Sequence, residues 1–381
     1  MVKYYLSDQL RSFRGAASEA DLNQSVALIS VLLLNADERA EFAVADGATA
    51  LGDHLVRLCN EQAAARSKWK RSTAFGFDVS ETGLQQFVRF LLVCIVHASL
   101  EASMATQFCS ANLPQLLFDE FVQPTRDIFS TQDASSKQDN QECDETNSTA
   151  TTPVPEVSLR LVALEALRNL CYVVYPAMSW HCLTPLWKDW PRPQLNHAAL
   201  DELWDMLLPK TSLETVEGGP SGSSKEEQVA CDILANLASH APRGTHATKD
   251  RVTNLLQLLL RMNVNIRQTA RATGNISSDT NRCTQMAALA DLAANLARDT
   301  EYSIILICSL EQVKPRTRVM TSSLAYLTQW ADDANEDAGL RKSLQSLNHN
   351  LAWTDVTTKV CVQKLAASTF LDRFLHVRAN Q

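Results

Sequence analysis

The stretch NRCTQMAALADLAANLARD, residues 281–299, decides the fold because its pattern recurs elsewhere in the chain. Its centre, DLAANLA at 291–297, is nearly repeated as DILANLA at 232–238, and VALEALRNLC at 162–171 is a third version. In all three segments, small and leucine-sized side chains recur every three or four residues. This spacing predicts amphipathic helices whose alanines let a neighbouring helix come close. A helix that recurs along a chain predicts stacked helical repeats.

The three segments share an asparagine near their ends, Asn169, Asn236 and Asn295, at separations of 67 and 59 residues. These separations exceed the ~40 to 47 residues of a simple HEAT or armadillo unit. No segment of any length has the alternating pattern of a β-strand. We therefore predict an all-α fold, an armadillo/HEAT-like helical-repeat solenoid with inserted disordered loops.

The composition of the chain changes at several points, which predicts its organisation. The most hydrophobic helix, predicted within 84–100, is apolar nearly all round and should lie at the centre of the stack. The predicted parts are N-terminal helical repeats at 1–129, an acidic disordered insertion at 130–156, armadillo-like repeats at 157–381, a flexible Gly/Ser-rich loop at 210–228 and a polar loop near 267–281.

Charge and cysteine usage restrict the class of protein. The formal net charge of -8 argues against a chain that binds nucleic acid over its whole surface. The ten cysteines are spread singly and mostly lie in apolar runs, as in reduced intracellular proteins. No signal peptide and no apolar run of ~18 residues is recognisable, so we expect a soluble intracellular protein. The basic stretch RSKWKR at 66–71 is either a phosphate-binding or nuclear-import patch or a solvated loop.

Enzyme motifs are missing from the sequence. It contains no P-loop, no G-x-G-x-x-G, no H-E-x-x-H and no G-x-S-x-G. Cys94 and His97 have C-x-x-H spacing, and His181 adjoins Cys182, so a four-ligand zinc site is conceivable. Buried thiols are the simpler interpretation, because Cys94 lies in the most apolar segment. We predict a protein without catalytic residues, cofactor or metal.

The recurring asparagines Asn169, Asn236 and Asn295 are candidate partner-binding residues. An asparagine inside a helix is mildly unfavourable, so another interaction should offset that cost. In armadillo proteins an asparagine at this position faces the concave groove and holds an extended peptide by its backbone. The alternative is that each amide bonds a neighbouring loop carbonyl.

Three tryptophans form a second candidate binding site. Trp180, Trp187 and Trp190 lie among four prolines, which prevent a continuous helix. Such tryptophans either anchor a partner protein or fill the groove between two repeats. Two LxxLL patterns, Leu113 to Leu117 and Leu255 to Leu259, are either docking motifs or products of core spacing, and we favour core packing.

In order and spacing, these segments resemble the C-terminal armadillo-like domain of the Osa family, the large ARID-containing subunit of SWI/SNF (BAF) chromatin remodellers. The opening LSDQLRSF is similar to the family's first turn, and the acidic insertion falls where the family has an acidic loop. The helices that carry the resemblance are VACDILANLAS, NRCTQMAALADLAANLARD, SSLAYLTQWADD and TTKVCVQKLAAS. The family's DNA-binding ARID module is absent from this sequence.

The resemblance implies a non-enzymatic nuclear scaffold that binds core subunits and the ATPase of a SWI/SNF-type remodeller and so supports transcription regulation. Because the ARID is absent, DNA binding is not carried over to this segment, and the hydropathy of the chain predicts no membrane association. The competing hypothesis is a cytoplasmic armadillo-type adaptor, for example a regulator of small GTPases.

Overall fold

A computed structural model describes the backbone of residues 5–65, 75–123, 158–172, 193–208, 225–273, 280–313, 327–328, 330–331 and 338–353. It describes the side chains of these residues except at 62–65, 264–273, 280–282 and 311–313. The predicted insertion at 130–156, the stretch at 66–71, Trp180, Trp187 and Trp190 lie outside the described residues. Predictions about them stay predictions.

The described part of the chain is helical and contains no β-strand, which confirms the all-α class. The helices that begin before residue 200 are α1 (Leu6–Arg14), α2 (Glu19–Leu32), α3 (Ala36–Val44), α4 (Gly47–Ala65), α5 (Glu81–Ala98), α6 (Ala102–Ser110), α7 (Leu113–Leu117, continued by a π-helical turn at Phe118–Val122), α8 (Leu159–Cys171) and α9 (His197–Leu207). Those that follow are α10 (Lys225–His240), α11 (Lys249–Thr273), α12 (Thr280–Leu296), α13 (Thr300–Val313) and α14 (338–353), with a 3-10 turn at Pro242–Thr245.

Two predicted loops are partly helical. The helix α10 begins at Lys225, so residues 225–228 of the loop predicted at 210–228 belong to it. The two glutamates in its first turn are favourable at a helix N-terminus because of the helix dipole. The helix α11 likewise continues through Thr273, into the polar loop predicted near 267–281. The polar composition of this stretch suggested a loop, but Arg and Gln are good helix formers, as is the Ala between them.

The chain forms two compact units, Met1–Glu202 and Leu203–Gln381. In the first unit α5 packs against both α2 and α8. The helix α1 packs against α2, α4 packs against α5, α6 and α7 pack against α8, and α3 packs against α1 and α4. The side chains of Phe87, Leu91, Leu92 and Ile95 of α5 are fully buried. The predicted central position of this apolar helix within its stack is therefore observed in the first unit.

Each of the three stacked helices of the first unit, α2, α5 and α8, is preceded by a serine that caps its N-terminus. Ser18, Ser80 and Ser158 accept a hydrogen bond through their side-chain oxygens from a backbone N–H three residues later, at 3.1 to 3.2 Å. Serine is a preferred N-cap because it satisfies one of the unpaired N–H groups of the first turn. Local sequence thus fixes where α2, α5 and α8 begin.

In the second unit α12 packs against α10 and α11, and α13 packs against α11. The turn Pro242–Thr245 is held by Trp204, whose indole N–H donates to the Thr245 carbonyl at 2.9 Å. Trp204 and Thr245 are both fully buried. In the described residues, no helix has the length and apolar content that crossing a bilayer requires.

An ion pair joins the same turn to the start of α13. Arg243 Nε lies 2.7 Å from Asp299 Oδ2, while Asp299 Oδ1 accepts a hydrogen bond from the Glu301 N–H at 2.9 Å. The hydrogen bond from Arg243 is the main reason that the pKa of Asp299 lies below its usual range. The carboxylate therefore serves both as a helix cap and as a partner for the guanidinium.

We expect Asp299→Asn to lower the free energy of unfolding at neutral pH, because the amide keeps a cap acceptor but loses the charge that attracts Arg243. A carboxyl with a lowered pKa stabilises the folded state fully above its unfolded pKa of about 3.9 and loses that effect as pH falls through the folded pKa. Urea unfolding of both proteins between pH 7 and pH 2.5 measures this. If the difference in stability between the wild type and Asp299→Asn stayed constant below about pH 3.9, the stabilising role of the charged Asp299 carboxylate would be contradicted.

Candidate partner-binding face

Four side chains bond one helix to the helix stacked before it. Each is an asparagine or histidine near the C-terminal end of its helix, and each bonds a backbone carbonyl 56 to 73 residues earlier in the chain. We call these four the rung residues. They pair as His97 with Ser30 at 3.0 Å, Asn169 with Val96 at 3.0 Å, Asn295 with Ala235 at 3.0 Å and Asn350 with Ala294 at 2.8 Å.

The rung residues repeat in register. In three of the four pairs, the accepting carbonyl belongs to a residue of the preceding helix. That residue comes directly before the position on the preceding helix that corresponds to the bonding asparagine. Val96 precedes His97, Ala235 precedes Asn236, and Ala294 precedes Asn295. One crossing geometry therefore recurs between α5 and α8, between α10 and α12, and between α12 and α14.

Further bonds show that the stacked helices run in the same direction. Arg298, three residues after Asn295, donates to the carbonyl of Ser239, four residues after Ala235. In the first unit, the Cys94 thiol donates to the Val26 carbonyl at 3.5 Å, one turn before the pair of His97 and Ser30. Parallel stacking of successive helices places equivalent residues side by side.

The predicted asparagines are thus partly used within the fold. The side-chain amides of Asn169 and Asn295 donate to carbonyls inside helices, whereas the alternative that we considered was a loop carbonyl. Asn236 is half-buried, and its backbone carbonyl accepts from the Ser239 hydroxyl at 2.7 Å. An asparagine amide can make up to four hydrogen bonds, so one bond within the fold still leaves capacity for a bound backbone. Their role in partner binding stays a prediction.

Exposed apolar side chains follow the rung positions of the first unit and of α14 at the same offset, whereas Ser239 and Arg298 hold that offset on α10 and α12. Leu34, Leu100 and Tyr172 lie three residues after Val31, His97 and Asn169 and are 64%, 51% and 60% exposed. Trp353, three residues after Asn350, is 71% exposed in the second unit. Large apolar side chains left in water in a regular pattern are typical of a surface that another protein covers.

Sequence reasoning did not predict this apolar row, Leu34, Leu100, Tyr172 and Trp353, or the bond from His97 to the preceding helix. The residues of the row lie at helix ends. The periodic spacing of apolar residues in the sequence predicts which side chains are buried within a helix, but it does not show that an apolar side chain at a helix end is exposed. Aligning the helices on their asparagines would have placed Tyr172 and Trp353 at the same offset from Asn169 and Asn350. His97 has no such signal, because its equivalence to an asparagine depends on tertiary packing.

The other candidate motifs pack into the interior. Leu113 and Leu117 of the first LxxLL pattern are buried, as are Leu255 and Leu259 of the second, in agreement with core packing. Burial also raises the pKa of the Cys109 thiol to about 12 and keeps the Cys94 thiol protonated at neutral pH. Among the described residues, no three His, Cys, Asp or Glu side chains come together as metal ligands. His181 and Cys182 lie outside that part of the chain.

The rung bonds should contribute measurably to stability. We expect Asn295→Ala to lower the free energy of unfolding by about 1 kcal/mol, because it removes the bond to the Ala235 carbonyl between α10 and α12. Asn60→Ala is the matched control, since Asn60 is exposed on α4, and its effect should stay within about 0.5 kcal/mol. Urea unfolding measures both, and equal effects would mean that the bond adds nothing to the stability of the stack.

Comparison with models of known protein families and with curated proteins found no match to this chain.

Proposed function

We propose that the chain is a non-enzymatic scaffold, an armadillo/HEAT-like solenoid in the nucleus that binds core subunits and the ATPase of a SWI/SNF-type chromatin remodeller. The recurrence of the rung bonds at one register supports the repeat architecture. Helices that stack in this way bury a continuous core and keep one edge of each helix exposed for partners.

The exposed apolar row supports the binding role. Affinity in protein interfaces is concentrated in a few large apolar or aromatic side chains, and Tyr172 and Trp353 are residues of that kind. In the first unit the row recurs at the ends of α2, α5 and α8, so a partner segment that crosses these three helices meets one apolar side chain per helix. The assignment to a remodeller rests on the resemblance of the helix order to the Osa family.

Affinity purification of the tagged full chain from nuclear extract, followed by mass spectrometry, tests the proposal. We expect recovery of a SWI/SNF ATPase together with its scaffold subunits. Recovery of cytosolic proteins alone, such as a small GTPase, would contradict the remodeller assignment and favour a cytoplasmic armadillo-type adaptor.

Two matched variants test the binding face in the same experiment. Leu100→Asp places a charge in the apolar row, whereas Val44→Asp makes the same kind of change on a 90% exposed valine at the end of α3, a helix that carries no residue of the row. Both replace exposed side chains, so the stability of the fold should change by less than about 0.5 kcal/mol. We expect Leu100→Asp alone to reduce recovery of the partners. Equal recovery with both variants would exclude the row as the contact surface.

A further inference from the structure

A histidine lies inside an aromatic cluster of the first unit, away from the rung residues. The ring centroid of His54, on α4, is 4.3 Å from that of Phe13 on α1 and 5.8 Å from that of Phe75, which precedes α5. Phe75 in turn meets Phe87 of α5 edge-on at 5.1 Å. His54 therefore contributes to holding three separate segments together.

The segment that carries Phe75 is a turn. Residues 75–79 lead into α5, Phe75 and Phe77 are half-buried, and Gly76 between them has a φ of +82°, a conformation that side chains other than glycine rarely adopt. The Phe75 ring stacks on His54 with an interplanar angle of 18°. The contact with His54 therefore fixes this turn to α4.

Two of the three charged groups around His54 disfavour a positive charge on its ring. Arg14 from α1 and Arg57 from α4 disfavour the imidazolium, and Asp53 from α4 favours it. Arg14 is held beside the cluster by a bond to the Asp46 carbonyl at 2.9 Å, and Asp78, in the turn itself, is exposed. The imidazole Nδ1 lies 2.7 Å from the Ala50 carbonyl, so Nδ1 carries the proton of the neutral ring and Nε2 is the atom that takes up a further proton.

We propose that His54 is an acid-sensitive latch: the neutral imidazole holds the turn 75–79 against α4, and protonation at Nε2 releases the turn. The step consumes one proton from solvent and converts imidazole to imidazolium, with no other bond made or broken. Burial is the main reason that the pKa of His54 lies below its ordinary value, which means that opening and hydration favour the charged form. The latch is thus closed at neutral pH, and opening becomes progressively more favourable as pH falls below the ordinary histidine pKa of about 6.5.

Hydrogen exchange of the full chain, measured by mass spectrometry from pH 7.5 to pH 5 and corrected for the intrinsic rate, tests the latch. We expect the protection of amides in 75–79 to fall with pH, by up to about tenfold per pH unit below about 6.5 until the folded pKa of His54 is reached. His54→Phe keeps an aromatic ring in the cluster but cannot titrate, so its turn should exchange independently of pH. His97→Asn changes another histidine of the first unit and gives α5 the rung residue that α8, α12 and α14 have, so this variant should keep the pH dependence of the wild type.

A second measurement does not depend on the variants folding. The Cε1–H resonance of His54 in the wild-type chain should titrate with the same midpoint as the amide resonances of the turn. Protection that is constant with pH in the wild type, or that falls equally in His54→Phe, would overturn the proposal. So would a turn that titrates with a midpoint different from that of His54.

Discussion

Replacing Trp204 with alanine is expected to lower the free energy of unfolding by about 3 to 5 kcal/mol, the usual cost of removing a large aromatic side chain from a core. Trp204 has no exposed surface, and its indole N–H donates to the Thr245 carbonyl at 2.9 Å. Truncation therefore opens a cavity and also leaves the carbonyl of a fully buried residue without that bond. Guanidinium unfolding followed by circular dichroism gives the change directly.

The matched control is Trp353→Ala, because Trp353 is 71% exposed and removing it opens no cavity. Its effect on stability should stay within about 0.5 kcal/mol, although we expect it to weaken partner binding if the apolar row is used. Trp204→Phe separates the two contributions at the buried site, since phenylalanine keeps most of the apolar volume and loses the N–H donor. A loss of about 1 to 3 kcal/mol is expected for that variant. Equal stability losses for Trp204→Ala and Trp353→Ala would contradict the burial of Trp204.

Local patterns predicted many of the helices but not all of them, since α13 was not predicted and the end of α11 was predicted as a loop. Leu22, Val26, Ile29 and Leu33, which share one face at helical spacing, are all fully buried. The same spacing located the helices of the three recurring segments, observed as α8, α10 and α12. The reason is that helix formation depends on side chains three and four residues apart, which the sequence displays directly.

The candidate face was only partly predictable. The asparagines stood out because a polar residue inside a helix needs a partner, and Asn169 and Asn295 have one. Their acceptors could not be found from sequence, because the carbonyl of any residue is equally available and the choice depends on helix register. The irregular chain separations of 56 to 73 residues between bonded pairs hide that register, since insertions of different length separate the stacked helices.

The structural role of the asparagines is compatible with the partner-binding role that we predict for them. A bond from Asn169 to the Val96 carbonyl fixes the amide plane and so lowers the entropy lost when a partner binds the same side chain. The same reasoning applies to Asn295, which is bonded to the Ala235 carbonyl. Stability and binding can therefore be separated by experiment, because Asn→Ala changes both whereas Leu100→Asp should change binding alone.

A second large effect is expected at Gly47, the first residue of α4. A methyl group at this position would lie 2.4 Å from the ring of Phe42, which is fully buried, so Gly47→Ala forces the ring or the helix to move. Overpacking of this kind costs about 1 to 3 kcal/mol, which exceeds the few tenths of a kcal/mol gained by replacing glycine near a helix end.

Gly52, in the same helix, is the matched position with the opposite expected sign. Apart from the adjacent residues and the backbone of the same helix, no atom lies within 4 Å of a Cβ built there, so Gly52→Ala meets no obstacle. Alanine in a helix interior should raise the free energy of unfolding by about 0.5 to 1 kcal/mol, because glycine loses more backbone entropy on folding. Thermal unfolding of the two variants should shift in opposite directions from the wild type. If both variants were stabilised, Phe42 would have to move at no cost, which a close-packed core does not permit.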